Sequence, residues 1–118
     1  MPQLINVGTK LFRVNSAKNC LDISYTGGPL WVSRSKMGPR FGRLKDLLWY
    51  HDKLYALTET GIWYSRNEGA DWGVRGSGSI AKSLVALQDG GKDLLGLHQN
   101  GGLYRSYNEG ADWVRIGG

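Results

Sequence analysis

Residues Ser65–Trp72 read SRNEGADW, and 41 residues further on Ser106–Trp113 read SYNEGADW. The same interval in the other direction reaches Ser24–Trp31, SYTGGPLW, which keeps the first serine, the fifth-place glycine and the eighth-place tryptophan. The likeness runs beyond these boxes. Lys53–Ser65 (KLYALTETGIWYS) aligns with Asp93–Ser106 (DLLGLHQNGGLYRS) with one residue added in the loop, and Lys10–Ser24 (KLFRVNSAKNCLDIS) aligns with two. The 118 residues therefore write one unit of roughly 40 residues three times. Self-similarity at such a period restricts the fold to architectures in which each unit buries its apolar surface against its neighbours.

Each unit has the same order: two apolar runs joined by a turn, a Gly-containing loop, a third run, the box, and a fourth run after the tryptophan. The runs are short and rich in Leu, Val, Ile, Tyr and Trp, which predicts strands rather than helices. The connectors Asp89-Gly90-Gly91, Asn100-Gly101-Gly102 and His51-Asp52 carry turn chemistry. The 18 glycines have no three-residue period and stand among many aromatic and leucine residues. That composition fits tight turns, not collagen or disorder. No segment shows a helical period of useful length. Four antiparallel strands per unit is the arithmetic of a β-propeller blade. The expected fold is all-β, a propeller of three four-stranded antiparallel blades in a single domain over 1–118, with blades at about 2–35, 43–76 and 80–118.

The boxes themselves resemble the Asp-box, or bacterial neuraminidase repeat, pattern S-x-D-x-G-x-x-W. The resemblance covers nearly the whole chain, with Ser24, Ser65 and Ser106 at the first position and Trp31, Trp72 and Trp113 at the last. Asn67 and Asn108 stand where the family has aspartate, and Thr26 stands there in the first copy. Asn still bonds nearby backbone N–H groups through its side-chain oxygen, and Thr does so more weakly. Gly28, Gly69 and Gly110 are expected to supply the positive φ that closes the turn. The resemblance implies a structural clasp between the third and fourth strands of a blade, on the rim away from the ligand face, with the tryptophans filling space between blades. It implies architecture more than function, because such propellers include sialidases, other glycosidases, sorting receptors and assembly factors.

Propellers close with about four to eight blades, so three leave two apolar faces open. The remedy expected here is a homodimer, in which blade three of each chain meets blade one of the other and six blades complete a ring.

The loops from the second to the third strand, and those between blades, share the face where propellers commonly bind ligands. Sorting by strand end places Lys18, Arg34, Lys36, Arg40, Arg43, Arg75 and Arg115 there, against Glu59. The linker Ser33–Arg43, SRSKMGPRFGR, holds four cations. Arginine forks suit sulfated, sialylated or phosphorylated groups. Candidate ligand residues are therefore Arg34, Lys36, Arg40, Arg43 and Arg75, with Trp49 or Tyr50 as a surface for sugar stacking and His98 as a hydrogen-bonding group. Trp49 and Tyr50 are neighbours on a strand and must point to opposite faces.

Other functions find little support in the residues. A glycosidase of the usual kind needs two carboxyls at a fixed separation, and the ligand face offers Glu59 alone. There is no Ser-His-Asp set and no phosphate-cradling loop. Cys20 is the one cysteine and His51 and His98 the only histidines, a poor basis for a metal site, so neither metal nor cofactor is expected. The net charge of +5 favours anionic partners without reaching the density of a nucleic-acid binder. No apolar run is long enough for a membrane span, and the first residues do not read as a signal peptide. Cytoplasmic and virion-associated settings are both compatible. The resulting expectation is a non-enzymatic, lectin-like module favouring anionic sugars, with a protein-interaction scaffold, or an engineered or fragment propeller with no evolved ligand, as the alternatives.

Overall fold

A computed structural model describes residues 3–117. It contains three four-stranded antiparallel sheets, each with its strands in sequence order. The first holds β1 (Leu4–Val7), β2 (Lys10–Asn15), β3 (Cys20–Ser24) and β4 (Val32–Lys36). The second holds β5 (Leu44–Tyr50), β6 (Lys53–Thr58), β7 (Gly61–Ser65) and β8 (Gly73–Gly76). The third holds β9 (Leu84–Asp89), β10 (Leu94–His98), β11 (Leu103–Ser106) and β12 (Val114–Gly117). The all-β expectation, with three four-stranded units, is what the chain adopts. The expected outer limits of the first and third units, residues 2 and 118, lie outside the described residues.

One element departs from the sequence reading. Ser79–Ser83 forms a single helical turn, α1, between the second and third sheets. It is too short to show a period. Its formation follows burial of Ala81 in the core, with Ile80 packed beside it.

The turns explain themselves locally. His51 and Asp52 both have positive φ, 50° and 60°. This is the paired left-handed geometry that joins two right-twisted strands across a two-residue turn. Gly28, Gly69 and Gly110 have φ of 99°, 94° and 100°, as the boxes require.

The core lies between the sheets rather than within one. Phe12, Leu21 and Ile23 of the first sheet meet Leu44, Leu47, Leu54 and Ala56 of the second. Tyr55, Leu57 and Ile62 of the second meet Leu84, Leu87 and Leu94 of the third. The second sheet is thus covered on both faces, and five of the six residues of β6 are buried. A strand buried on both faces reads as a near-continuous apolar run, which LYAL in β6 does. The facing rule for neighbours holds here: Trp49 packs into the first seam and Tyr50 into the second.

Candidate functional site

The boxes are closed by a repeated hydrogen-bond set. Ser65 Oγ accepts from the Gly69 N–H at 2.8 Å and donates to Asn67 Oδ1 at 2.9 Å, and Asn67 Oδ1 accepts from the Asp71 N–H at 2.9 Å. Ser106, Asn108, Gly110 and Asp112 repeat this with matching distances of 2.9, 2.8 and 2.9 Å. The asparagine also has a task that aspartate could not perform. Asn67 Nδ2 donates to Asp71 Oδ2 at 2.7 Å, and Asn108 Nδ2 to Asp112 Oδ2 at 2.8 Å. In the first box the Gly28 N–H still reaches Ser24 Oγ, but Thr26 Oγ1 turns to Gly28 O instead.

Each box is held by the preceding sheet. Arg34 Nε and Nη2 donate to the carbonyls of Glu68 and Asn67, both at 3.1 Å, while Lys10 Nζ pairs with Glu68 at 2.7 Å. One unit later Arg75 Nη2 donates to Asn108 O at 2.6 Å, and Lys53 pairs with Glu109 at 3.2 Å. Glu109 carries a second ionic contact from Arg75 at 3.7 Å, and His51 Nδ1 lies within hydrogen-bond distance of it at 3.2 Å. Burial pushes the Glu109 carboxyl up, but the bonds from Lys53 and His51 and the charges of Lys53 and Arg75 outweigh it and hold the carboxyl below its ordinary range.

These contacts correct the sorting of cations by strand end. Arg34 and Arg75 do not join the basic loop face; their guanidinium groups grip the next box. The cause is a bulge. Leu21 pairs with Ser35 and Asp22 with Ser33, so Arg34 is the extra residue in β4; Arg75 holds the same place in β8. A bulge re-aims the side chain it carries.

Other expected residues also fall differently. Tyr50 is buried, stacked on His51 at 3.8 Å and edge-on to Tyr55 at 5.8 Å, so it offers no free ring to a sugar. Trp49 is partly buried in the first seam. His98 Nδ1 accepts from the Asn100 N–H at 3.1 Å, which makes it part of its own turn. Arg40 lies over Trp63 at 4.7 Å, and its backbone carbonyl accepts from Thr60 Oγ1 at 3.0 Å.

What remains exposed at the loop end is a basic cluster around two clefts. Lys18, Lys36, Arg40 and Arg43 are all exposed. One cleft, of ≈ 460 Å³, is lined by Ser16, Asn19, Met37, Arg43 and Glu59 among others. Glu59 Oε1 accepts from the Arg43 N–H at 2.8 Å, so the one carboxylate there is engaged. The second cleft, of ≈ 580 Å³, opens on the outer flank of the first sheet between Arg13, Lys18, Asp22, Trp31 and Lys36.

The rim of the second cleft carries Lys18 and Lys36, both expected on the ligand face, but its floor is built by residues that sequence reasoning assigned to scaffold or passed over. The Arg13 guanidinium lies 4.2 Å from the Trp31 ring centroid, and its Nε donates to Asp22 Oδ2 at 3.0 Å. Asn15 Nδ2 donates to the same oxygen at 3.0 Å and the Cys20 thiol to Asp22 Oδ1 at 3.1 Å. Burial pushes Asp22 up, but those three bonds outweigh it and keep the carboxyl below its usual range. Burial, with Asp22 beside it, pushes the Cys20 thiol up, so it stays protonated at neutral pH. The available signal was Arg13 and Asp22 standing on paired strands where the other units carry Ala56 and Trp63, then Gly96 and Tyr104.

No family model and no curated protein matches the chain. Solved structures do. A YCF48 structure bound to a D1 peptide superposes with a TM-score of 0.72 at 14% identity, over 97% of this chain and 40% of that one. YCF48 from Cyanidioschyzon merolae gives 0.70 at 13% over 96% and 35%, and an ancestral GH74 enzyme gives 0.69 at 11% over 98% and 18%. The fold is that of a β-propeller. The three sheets are blades, and the chain spans less than half the length of the propellers it resembles. Among the described residues no cluster of His, Cys, Asp and Glu is arranged to hold a metal ion, and no helix is long and apolar enough to cross a membrane.

Proposed function

We propose that the chain is a non-enzymatic β-propeller binding module of the Asp-box type that engages an acidic segment of a protein partner at the loop end of blades one and two. The observation that carries this reading is that three exposed cations, Lys18, Lys36 and Arg43, line two neighbouring clefts whose carboxylates, Asp22 and Glu59, are already bonded, with exposed Arg40 next in the chain to Pro39 of the first cleft. Both carboxylates are held in hydrogen bonds to groups of the chain itself, and they line different clefts, which supports a binder over a hydrolase that works with a carboxyl pair. That a YCF48 propeller has been solved with a peptide bound lends a precedent of shape. Loss of Tyr50 to the core weakens the sugar-stacking expectation. An anionic glycan remains the second reading, favoured by the indole of Trp31 beside Asn15 in the larger cleft.

Self-association belongs to the same reading. Within the chain, Leu21 of blade one packs against Gly69, where an added Cβ would lie 2.7 Å away, and Ile62 of blade two packs against Gly110 in the same way. Their counterpart in blade three, Leu103, is 37% exposed, and the counterpart glycine of blade one, Gly28, has nothing within 4 Å. The two loose halves fit each other across a two-fold seam between chains.

The deciding experiment is a titration of the whole chain with polyglutamate and, separately, with sulfated and sialylated oligosaccharides, at low and high salt. Salt-sensitive binding of polyglutamate, abolished when Lys18, Lys36, Arg40 and Arg43 are all changed to glutamate, is the expected result. Saturable sugar binding without peptide binding would transfer the site to the second reading. Release of sugar product would end the non-enzymatic claim.

A further inference from the structure

In blades two and three the chain covers its own outer loop corner, on the face toward the preceding blade. Over blade two lie residues 38–43. There the Phe41 ring meets Trp63 edge-on at 4.6 Å and Trp72 at 6.5 Å, Thr60 Oγ1 donates to Arg40 O at 3.0 Å, and the Glu59 N–H donates to Arg43 O at 3.1 Å. Over blade three lies α1. The Gln99 N–H donates to Ser83 O at 2.9 Å, and Ile80 and Trp113 pack on the cluster that buries Ala81. In each case a linker of the chain is laid on the second-to-third strand turn and the box tryptophan.

In blade one the same corner is the ≈ 580 Å³ cleft. The strand registers place Asp22 where blades two and three have Trp63 and Tyr104, and Ser33 where they have Val74 and Arg115.

We propose that this corner is a binding slot for an extended acidic segment of a partner protein, which takes the place that linkers take on the other two blades. The proposal deepens the protein-partner reading and rests on it. The polarity of the slot selects the ligand. Asp22 is spent on Arg13, Asn15 and Cys20, while Lys18 and Lys36 have no carboxylate within ion-pair distance among the described residues. Two uncompensated ammonium groups at the rim of the recess favour an occupant that carries carboxylates. The Arg13 guanidinium, oriented by Trp31 and Asp22, presents its remaining N–H donors to a further carboxylate.

The test uses fluorescence anisotropy on the full chain, with a labelled octapeptide of alternating glutamate and glycine, its glutamine counterpart, and a sulfated oligosaccharide. Four proteins are compared: the parent chain, Lys36→Glu at the slot rim, Ser33→Trp as a plug in the slot, and Lys92→Glu at an exposed turn of blade three that borders neither cleft. The expected result is binding of the acidic octapeptide alone, weakened roughly tenfold or more by Lys36→Glu and by Ser33→Trp, and less than about threefold by Lys92→Glu. Lys36 is exposed, so its variant reports even if the plug disturbs folding. Loss in Lys36→Glu with Ser33→Trp unchanged overturns the slot and leaves the loop-end module standing, and equal loss in Lys92→Glu overturns both. Binding of the sulfated oligosaccharide alone overturns the peptide slot in favour of the sugar reading, and binding of no probe overturns both the slot and the module.

Discussion

Asn67 and Asp71 show why a single letter of the box differs from the pattern it resembles. With asparagine in third place, its amide nitrogen satisfies the carboxylate four residues on; with aspartate there, two carboxylates would face each other at 2.7 Å. Asn67→Asp is therefore expected to lower stability by about 1–2 kcal/mol at neutral pH, and Asp71→Asn in the same chain should restore it. Thermal unfolding of the single and double variants checks this. Asp46 makes a second residue-scale case. It lies in the second seam with Oδ2 accepting from the Leu87 N–H at 2.9 Å and Oδ1 without a partner, and burial raises its pKa to about 6. The folded chain thus holds this proton more tightly than the unfolded chain, where the ordinary value of 3.8 applies. Stability falls as pH rises from about 4 to about 6, by an amount on the order of 2–3 kcal/mol, and is level above that. Asp46→Asn should flatten that slope and raise the melting temperature at pH 7.5, provided the amide oxygen keeps the Leu87 bond.

Between elements, the seams are joined by a recurring grip of one lysine and one bulge arginine on the following box. A double-mutant cycle on Lys53→Ala and Glu109→Ala should return a coupling of about 0.5–1 kcal/mol, modest because both side chains are partly exposed. Arg75→Ala should cost more, about 1–3 kcal/mol, since it also leaves the Asn108 carbonyl without its donor. Denaturant unfolding measures both. The boxes and strands were legible in the sequence because their determinants are local: a serine, an asparagine and a glycine within five positions close a turn whatever surrounds it. The grip was not. Arg34 acts on residues 33 and 34 positions away, and its direction comes from a bulge, a register event that no residue type in VSRSK announces. Sorting charges by strand end assumes regular pleating, and one extra residue defeats it. Trp31 shares its place in the box with Trp72 and Trp113 but not its cover: Arg13, not a linker, overlies it, and Arg13 stands outside the box that named the tryptophan.

At the scale of the molecule, the two open flanks differ in character. Blade three ends in an apolar shelf of Leu95, Leu97 and Leu103 around a ≈ 240 Å³ hollow, while blade one ends in the Arg13–Asp22 pair and the slot beside it. A chain that pairs through Leu103 and Gly28 should run at twice 13.1 kDa in light scattering. Leu103→Asp, a change at a partly exposed site, should return it to the mass of one chain without loss of secondary structure by circular dichroism. The pairing should also survive high salt. At the position of Lys10 and Lys53 blade three carries Asp93, at that of Arg34 and Arg75 it carries Ile116, and at that of Glu68 and Glu109 blade one carries Gly27, so no ion pair of the internal kind forms there.

The same inequality makes the three units non-interchangeable. Blade one carries only the cationic half of the grip and blade three only the acidic half; blade two carries both, Lys53 and Arg75 on one side and Glu68 on the other. Reading direction along the chain is therefore written into the joints. A gene in which the second unit is duplicated in tandem would encode a longer arc whose added joint is complete, whereas duplicating the first or third would insert a joint with one half missing. Growth of such an array by duplication has one permissive register, and it is the middle one.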